Sequence, residues 1–286
     1  MTAVPTLIFD CDGVLADTER HGHLPAFNQA FEEFGIPVHW SETDYAEKVL
    51  IGGGKERMLR ALHEEVVQTS EAVPTGAEAR RELVARLHWR KTAIYTALVE
   101  RGALPARPGI ARIAEDALAA GWTLAVASTS AEASVRAVLT HAVGSSLAER
   151  VAVFAGDRVA SKKPAPDIYL LALAELGVSA DDVIVIEDSR NGLRAAHSAG
   201  LRTVVTVSSY TVDENFAEAQ LVVTSLGDQP PGEPARVLAD QGSLRLGAFL
   251  TLDDLATILH REIGPVHGTT TPKSVTPPPS TLQETP

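Results

Sequence analysis

Leu7-Ile8-Phe9-Asp10-Cys11-Asp12-Gly13-Val14-Leu15-Ala16-Asp17-Thr18-Glu19 is a short apolar run that ends abruptly in acids and a glycine. Residues 7–9 read as a strand buried on both faces, the habit of a central parallel strand. Asp10 and Asp12 stand two apart, so near the strand end they point to one side and Cys11 to the other. Gly13 lets the backbone turn sharply. The carboxyl end of a central strand is where open α/β sheets bind ligands. Two bare carboxylates there repel each other and raise one pKa. A divalent cation relieves the repulsion, and hard oxygen ligands favour Mg²⁺. Taken alone, the same residues also read as a turn carrying solvated acids.

Composition narrows the classes. The 286 residues, 45% of them hydrophobic, suffice for one large domain or two smaller ones with a real core. No apolar run approaches the length of a transmembrane helix. A strand within the first ten residues leaves no room for a signal or transit peptide. The single cysteine excludes an internal disulfide and fits a reducing, cytoplasmic setting. A net charge of −12 argues against nucleic-acid and anionic-membrane binding. It also leaves any anionic substrate to be captured by local positive charge. No feature points to an obligate dimer, and a monomer is expected.

Residues 18–101 change character. Apolar positions recur at three and four, as in Phe27, Phe31 and Phe34 or Leu83, Leu87, Ile94 and Leu98. Helices are expected over 23–34, 44–50, 55–67 and 77–101, with almost no strand signal. From about residue 104 the pattern alternates. Strands are expected at 122–127, 151–154, 183–186, 203–207 and 221–224. Helices are expected at 110–120, 131–141, 166–176, 192–198 and 252–259. Such alternation builds βαβ units and a parallel sheet. Residues 227–243 read as a Pro- and Gly-containing connector. Residues 263–286, rich in Thr, Pro and Ser, read as a disordered tail.

A parallel sheet carries every strand C-terminus to one edge. Ser128, Lys163 and Glu187-Asp188 follow predicted strands and therefore converge on Asp10 and Asp12. Each has a plainer reading. Ser128 also suits a helix N-cap, Lys163 a solvated loop charge, and Glu187-Asp188 a polar cap before Asn191-Gly192. Together they describe phosphoryl-transfer chemistry. Asp10 is placed as nucleophile towards phosphorus. Asp12 is placed to protonate the leaving alkoxide and then deprotonate water. Asp10, Asp188 and a backbone carbonyl near Asp12 suit Mg²⁺, with Glu187 in the same acidic set. Ser128 donates to a phosphoryl oxygen, and Lys163 supplies positive charge.

Asp10-Cys11-Asp12-Gly13-Val14, Ser128, Lys163-Pro164 and Glu187-Asp188 resemble, in order, the four motifs of the haloacid dehalogenase superfamily. The resemblance runs from about Thr6 to Ser225. The acid at position 12 separates phosphoryl-transfer members from the dehalogenases. The resemblance implies an α/β fold: a Rossmann-like core over 1–17 and 102–262, with an inserted all-helical cap over 18–101. Hinges are implied near residues 16–18 and 104–109.

Within the expected cap, Ile51-Gly52-Gly53-Gly54-Lys55-Glu56-Arg57-Met58 puts glycines before a helix. Exposed N–H groups at the positive end of a helix suit an anion, and Lys55 and Arg57 add charge. The same glycines also read as a flexible turn. This is not a Walker A loop, because Glu56 follows Gly54-Lys55. As an anion site it would grip a second phosphate or sugar hydroxyls.

Asp17-Thr18-Glu19, His23, Ala26-Phe27-Asn28 and Gly53-Gly54-Lys55-Glu56-Arg57 are similar to the CbbY-like group. Its characterised function is hydrolysis of xylulose-1,5-bisphosphate, a misfire product that inhibits Rubisco. The resemblance implies that Glu19 and His23 contact the sugar, and that Ser128, Thr129 and Ser130 meet the transferring phosphate. His23 also reads as a helix-surface histidine. Leu24 and Ala131 depart from the group, which usually has arginine and asparagine there. The expectation is a Mg²⁺-dependent hydrolase of a small sugar phosphate. A β-phosphoglucomutase-like phosphotransferase and a non-catalytic phosphosugar-binding protein remain the alternatives.

Overall fold

The computed structural model describes residues 4–261, apart from 52, 65, 66, 68, 157 and 243. The tail expected at 263–286 and Gly52 of the glycine run lie outside the described residues. Strand β1 (Thr6–Phe9) lies inside a seven-stranded sheet of order β3-β2-β1-β4-β5-β6-β7, third from one edge. The others are β2 (Thr123–Ala127), β3 (Ala152–Phe154), β4 (Val183–Glu187), β5 (Arg202–Thr206), β6 (Leu221–Val223) and β7 (Val237–Asp240). The first six run parallel, and Phe9 lies level with Val126 on one side and Ile186 on the other. Asp10 N–H continues the ladder, donating to the Ile186 carbonyl at 2.9 Å. The two acids therefore leave the sheet at its carboxyl edge, beside the ends of β2 and β4.

Full burial of β1 and β4 explains why their sequences are continuous apolar runs. Leu7 and Phe9 face a layer that includes Ile113 of α5 (Ile110–Ala119), Val135 of α6 (Glu132–Val143) and Leu255 of α10 (Leu252–Leu259). Ile8 faces the other layer, with Tyr169 of α8 (Asp167–Leu176) and Ala195 of α9 (Arg190–Ser198). A short helix, α7 (Ser145–Ala148), follows α6.

Between β1 and α5 the described chain is helical. A π-helical turn, Glu19–His23, leads into α1 (Leu24–Glu33), α2 (Glu42–Lys48), α3 (Gly54–Ala61) and the long α4 (Ala77–Glu100). Phe27, Phe31, Trp40, Tyr45 and Leu87 form their buried centre. Ser41 and Asp44 make a reciprocal capping box that starts α2. Gly22 is needed where it stands, because a Cβ there would come within 2.7 Å of the Tyr95 ring.

The chain enters and leaves this segment side by side. Ala16 pairs with Ala106, and Arg107 N–H donates to the Leu15 carbonyl at 3.0 Å. The Arg107 guanidinium then gathers carbonyls from three places: Gly13, Thr206 with Val207, and Thr224. Burial pulls its pKa down, against the opposite pull of Asp188 and Asp17. We expect Arg107→Met to strand these carbonyls, at about 1–3 kcal/mol for each one left unsatisfied. Thermal unfolding checks this: a Tm fall of roughly 6 °C or more is expected, whereas a wild-type Tm would show the clasp to be idle.

One expectation is corrected. The stretch 227–243, read as a connector, contains β7, which pairs antiparallel with β6. Val237, Leu238 and Ala239 are all exposed, so β7 has no buried face to impose an alternating pattern.

Candidate active site

Lys163 reaches the sheet edge from the loop after β3. Its ammonium donates to Asp10 Oδ1 at 2.6 Å, Glu187 Oε1 at 2.7 Å and the Ala127 carbonyl at 2.9 Å. It is not a solvated loop charge, since its side chain is 9% exposed. Burial opposes its charge, but Asp10 and Glu187 prevail and lift its pKa well above the ordinary lysine value. Lys162, its neighbour in sequence, is exposed.

Asp10, Glu187 and Asp188 are all buried, and one oxygen from each lies within 4.8 Å of the others. Burial raises the Asp10 carboxyl to about 7; Lys163 pulls it down, while Glu187 and Asp12 add to the rise. Burial, then Glu187 and Asp10, push Asp188 well above the carboxylate range. Lys163 thus pairs with two of the three buried acids, Asp10 and Glu187, while the Arg107 charge pulls on Asp188. Burial still dominates, and this all-oxygen, under-compensated set fits a hard divalent cation. Two glycines make room for it. A Cβ at Gly13 would overlap the Asp188 carboxylate, and one at Gly192 the Glu187 carboxylate.

Within this set Glu187 is the most enclosed. Its Oε1 also accepts from Tyr169 Oη at 2.6 Å, and its Oε2 from Asp188 N–H at 3.1 Å. It is not a polar cap before Asn191, for Ser189 caps α9 by accepting from Gly192 N–H. The Asp12 side chain lies outside the acidic set. Its Oδ1 accepts from Thr18 Oγ1 at 2.7 Å, and its Oδ2 from Ser130 Oγ. Sequence reasoning missed Thr18 as a partner for that acid.

Ser128 is 1% exposed at the end of β2, and its Oγ accepts from Ser130 N–H at 3.2 Å. The N-cap position of α6 is taken by Ala131, with no side-chain cap, so the plainer reading of Ser128 does not hold. Thr129 is half-buried beside it. These elements bring Asp10, Asp12, Ser128, Ser130, Lys163, Glu187 and Asp188 to one edge of the sheet.

The residues expected to hold the rest of a substrate divide. Glu19 Oε2 accepts from Tyr45 Oη at 2.5 Å and pairs with Arg57 at 3.3 Å. Arg57 also donates to Tyr45 Oη at 2.6 Å and to the Ile51 and Val49 carbonyls. Burial works against its charge, and Glu19 and Tyr45 more than offset that. Arg57 is therefore committed to Glu19, Tyr45 and the turn before α3, unlike the anion-binding cation that its place at a glycine-led helix start suggests. Lys55 and Glu56 are exposed at the start of α3, behind Gly53 at φ +91° and Gly54.

His23 stacks on Tyr95, with ring centroids 4.1 Å apart, and its Nδ1 lies 2.8 Å from Lys91 Nζ. It is thus not a helix-surface residue. Burial and then the Lys91 charge hold its pKa well below the ordinary value. Lys91 itself was missed. It is 7% exposed on α4, over the Phe27 and Tyr95 rings, and burial lowers its pKa to about 8. The signal was present: position 91 falls in the helical register of Leu87 and Ile94, where an apolar residue belongs.

Residues 4–200 match the family model for haloacid dehalogenase-like hydrolases. A CBBY-like protein of Arabidopsis thaliana is 43% identical over 252 residues, which are 88% of this chain and 78% of that protein. CbbY from Rhodobacter sphaeroides, solved as a variant in complex with xylulose-1,5-bisphosphate, shares 39% identity at a TM-score of 0.65. That match covers 78% of this chain and 95% of the other. A beta-phosphoglucomutase-like structure from Thermotoga maritima matches at 27% identity and a TM-score of 0.56, over 73% and 88% of the two chains. With the motifs at one sheet edge and relatives of this similarity, the chain belongs to the haloacid dehalogenase-like hydrolases and is a phosphatase of that family.

Proposed function

We propose that the chain is a Mg²⁺-dependent phosphatase acting on a small sugar phosphate through an aspartyl phosphate, with xylulose-1,5-bisphosphate as its substrate. The observation that carries this is the buried acid set with Lys163 bound to two of its members, and Asp12 turned aside to hydroxyl partners. The sugar bisphosphate held by the Rhodobacter sphaeroides relative supports the substrate. Helices 18–101 serve as a cap, and the remainder of the described chain as the core.

In this mechanism an Asp10 oxygen attacks phosphorus, and the bond from phosphorus to the sugar oxygen breaks. Asp12 gives its proton to the departing alkoxide. Water then attacks the aspartyl phosphate, Asp12 takes a proton from it, and Asp10 and phosphate separate. Lys163 and Ser128 hold the phosphoryl oxygens. Asp10 and Asp188, backed by Glu187 and the carbonyl at position 12, would hold Mg²⁺. When bound, the ion supplies positive charge against the charge gathered on nucleophile and phosphoryl group. Glu19 and His23 orient the sugar from the cap.

A phosphate-release screen over sugar mono- and bisphosphates tests this. Release from xylulose-1,5-bisphosphate is expected with Mg²⁺, and chelation by EDTA should remove it. Formation of glucose 6-phosphate from β-glucose 1-phosphate, with little free phosphate, would instead establish the phosphotransferase. Equal, slow release by wild type and Asp10→Asn would leave a non-catalytic sugar-phosphate binder.

A further inference from the structure

The loop after β5 reaches across from the sheet to the helical segment. Ser209 Oγ donates to Asp17 Oδ2, at the point where the chain leaves the sheet. The next residue, Tyr210, sets its ring edge-on against Tyr45, with centroids 5.5 Å apart at 74°. Tyr45 is fully buried and lies at the centre of the polar group described above. Its hydroxyl donates to Glu19 and accepts from Arg57. Phe27 and Trp40 hold the Tyr45 ring from within the helical segment, at 5.9 and 5.8 Å. Among the described aromatic residues, Tyr210 alone holds it from the sheet side. The Tyr210 hydroxyl is buried and has no hydrogen-bond partner among the described residues. What the contact uses is therefore the ring.

We propose that Tyr210 is a positioning residue: by holding the Tyr45 ring from the core, it fixes the Glu19 carboxylate in place and so sets the preference for a sugar phosphate over a bare phosphate ester. This rests on the reading that Glu19 contacts the sugar. The chain of contact is short. Tyr210 bears on Tyr45, and Tyr45 and Arg57 between them occupy Glu19. Without the ring, Tyr45 loses its one aromatic neighbour on the core side, and the Glu19 group is free to shift with the cap. The phosphoryl-transfer residues sit on the sheet edge and do not depend on that contact. A substrate with no sugar does not sense the loss.

Steady-state kinetics of Tyr210→Ala, Tyr210→Leu and Tyr210→Phe on two substrates test this. One is the sugar phosphate that wild type turns over best, and the other is p-nitrophenyl phosphate. An aromatic pair of this kind corresponds to roughly a two- to tenfold effect. Tyr210→Ala and Tyr210→Leu should raise KM for the sugar phosphate by about that factor, with kcat within about twofold of wild type. Their kcat/KM on p-nitrophenyl phosphate should stay within about twofold. Tyr210→Phe keeps the ring and should match wild type on both. Tyr210→Leu retains most of the volume, so one result stands if Tyr210→Ala does not fold. Equal losses on both substrates, no change on either, or Tyr210→Phe behaving like Tyr210→Ala would each overturn the assignment. Failure of the sugar-phosphatase reading shows separately, in wild type, as no release from any sugar phosphate.

Discussion

Asp10→Asn is expected to abolish phosphate release, by about 10⁴-fold or more, while raising thermal stability in the absence of metal. The amide cannot form the acyl phosphate, and removing the central member of a catalytic unit costs orders of magnitude. The stability effect has the opposite sign for a reason visible in the site. Asp10 is one of three clustered buried acids and shares the Lys163 ammonium with Glu187. Its charge is opposed by burial and by Glu187 and Asp12. The neutral amide removes that repulsion, while Lys163 keeps Glu187 and the Ala127 carbonyl. Single-turnover phosphate release and a thermal melt without Mg²⁺ check the two halves together. Retention of more than about one per cent of the wild-type rate would mean that water attacks phosphorus directly, with Asp10 only a ligand.

Lys163→Met should remove activity and stability alike. The ammonium is the shared donor of two buried carboxylates and a carbonyl, and breaking such a set costs about 3–5 kcal/mol. Its pH dependence follows from the direction of the shifts. An acid whose folded pKa lies above its unfolded value binds more protons when folded, so stability falls as pH rises across that window. For Asp10 the window runs from 3.8 to about 7. Without Lys163 nothing in the set opposes the rise. The Tm gap between wild type and Lys163→Met should therefore be wider at pH 8 than at pH 5. A gap that narrows with pH, or a fully active Lys163→Met, would contradict the arrangement. Tyr169 lies over the Lys163 ammonium, at 4.9 Å from its ring centroid, and the shorter, uncharged side chain forfeits that contact as well.

The parallel part of the sheet was legible because β1, β4 and β6 are fully buried and β2, β3 and β5 nearly so, which makes them read as largely apolar runs. Convergence of Asp10, Ser128, Lys163 and Glu187-Asp188 needed only the rule that parallel strands end on one edge. Periodicity carried no sign of β7, whose residues meet solvent. It also carried no sign of which partner a charged side chain takes. Arg57, at a glycine-led helix start, reads as an anion-binding cation; three-dimensional packing spends its guanidinium on Glu19, Tyr45 and two carbonyls. The π-helical turn at Glu19–His23 was likewise invisible, since its five residues are too few for a period to show. Arg107 and Tyr210 act through contacts about a hundred residues or more distant in sequence, where no local pattern reports them.

The place of β1 in the sheet has a consequence for biogenesis. This strand is made first, yet its neighbours are β2 and β4, whose pairing residues start at Thr123 and Val183. At ordinary translation speeds of 5–20 residues per second, the second neighbour follows roughly 10–35 s after the first strand. During that interval Leu7, Ile8 and Phe9, all fully enclosed in the finished molecule, have only one or neither of their partners. The site cannot form before then, because Asp188 comes just after β4. A nascent chain released short of that point is an inactive, sticky fragment, and activity in a lysate reports completed sheets and not merely completed synthesis.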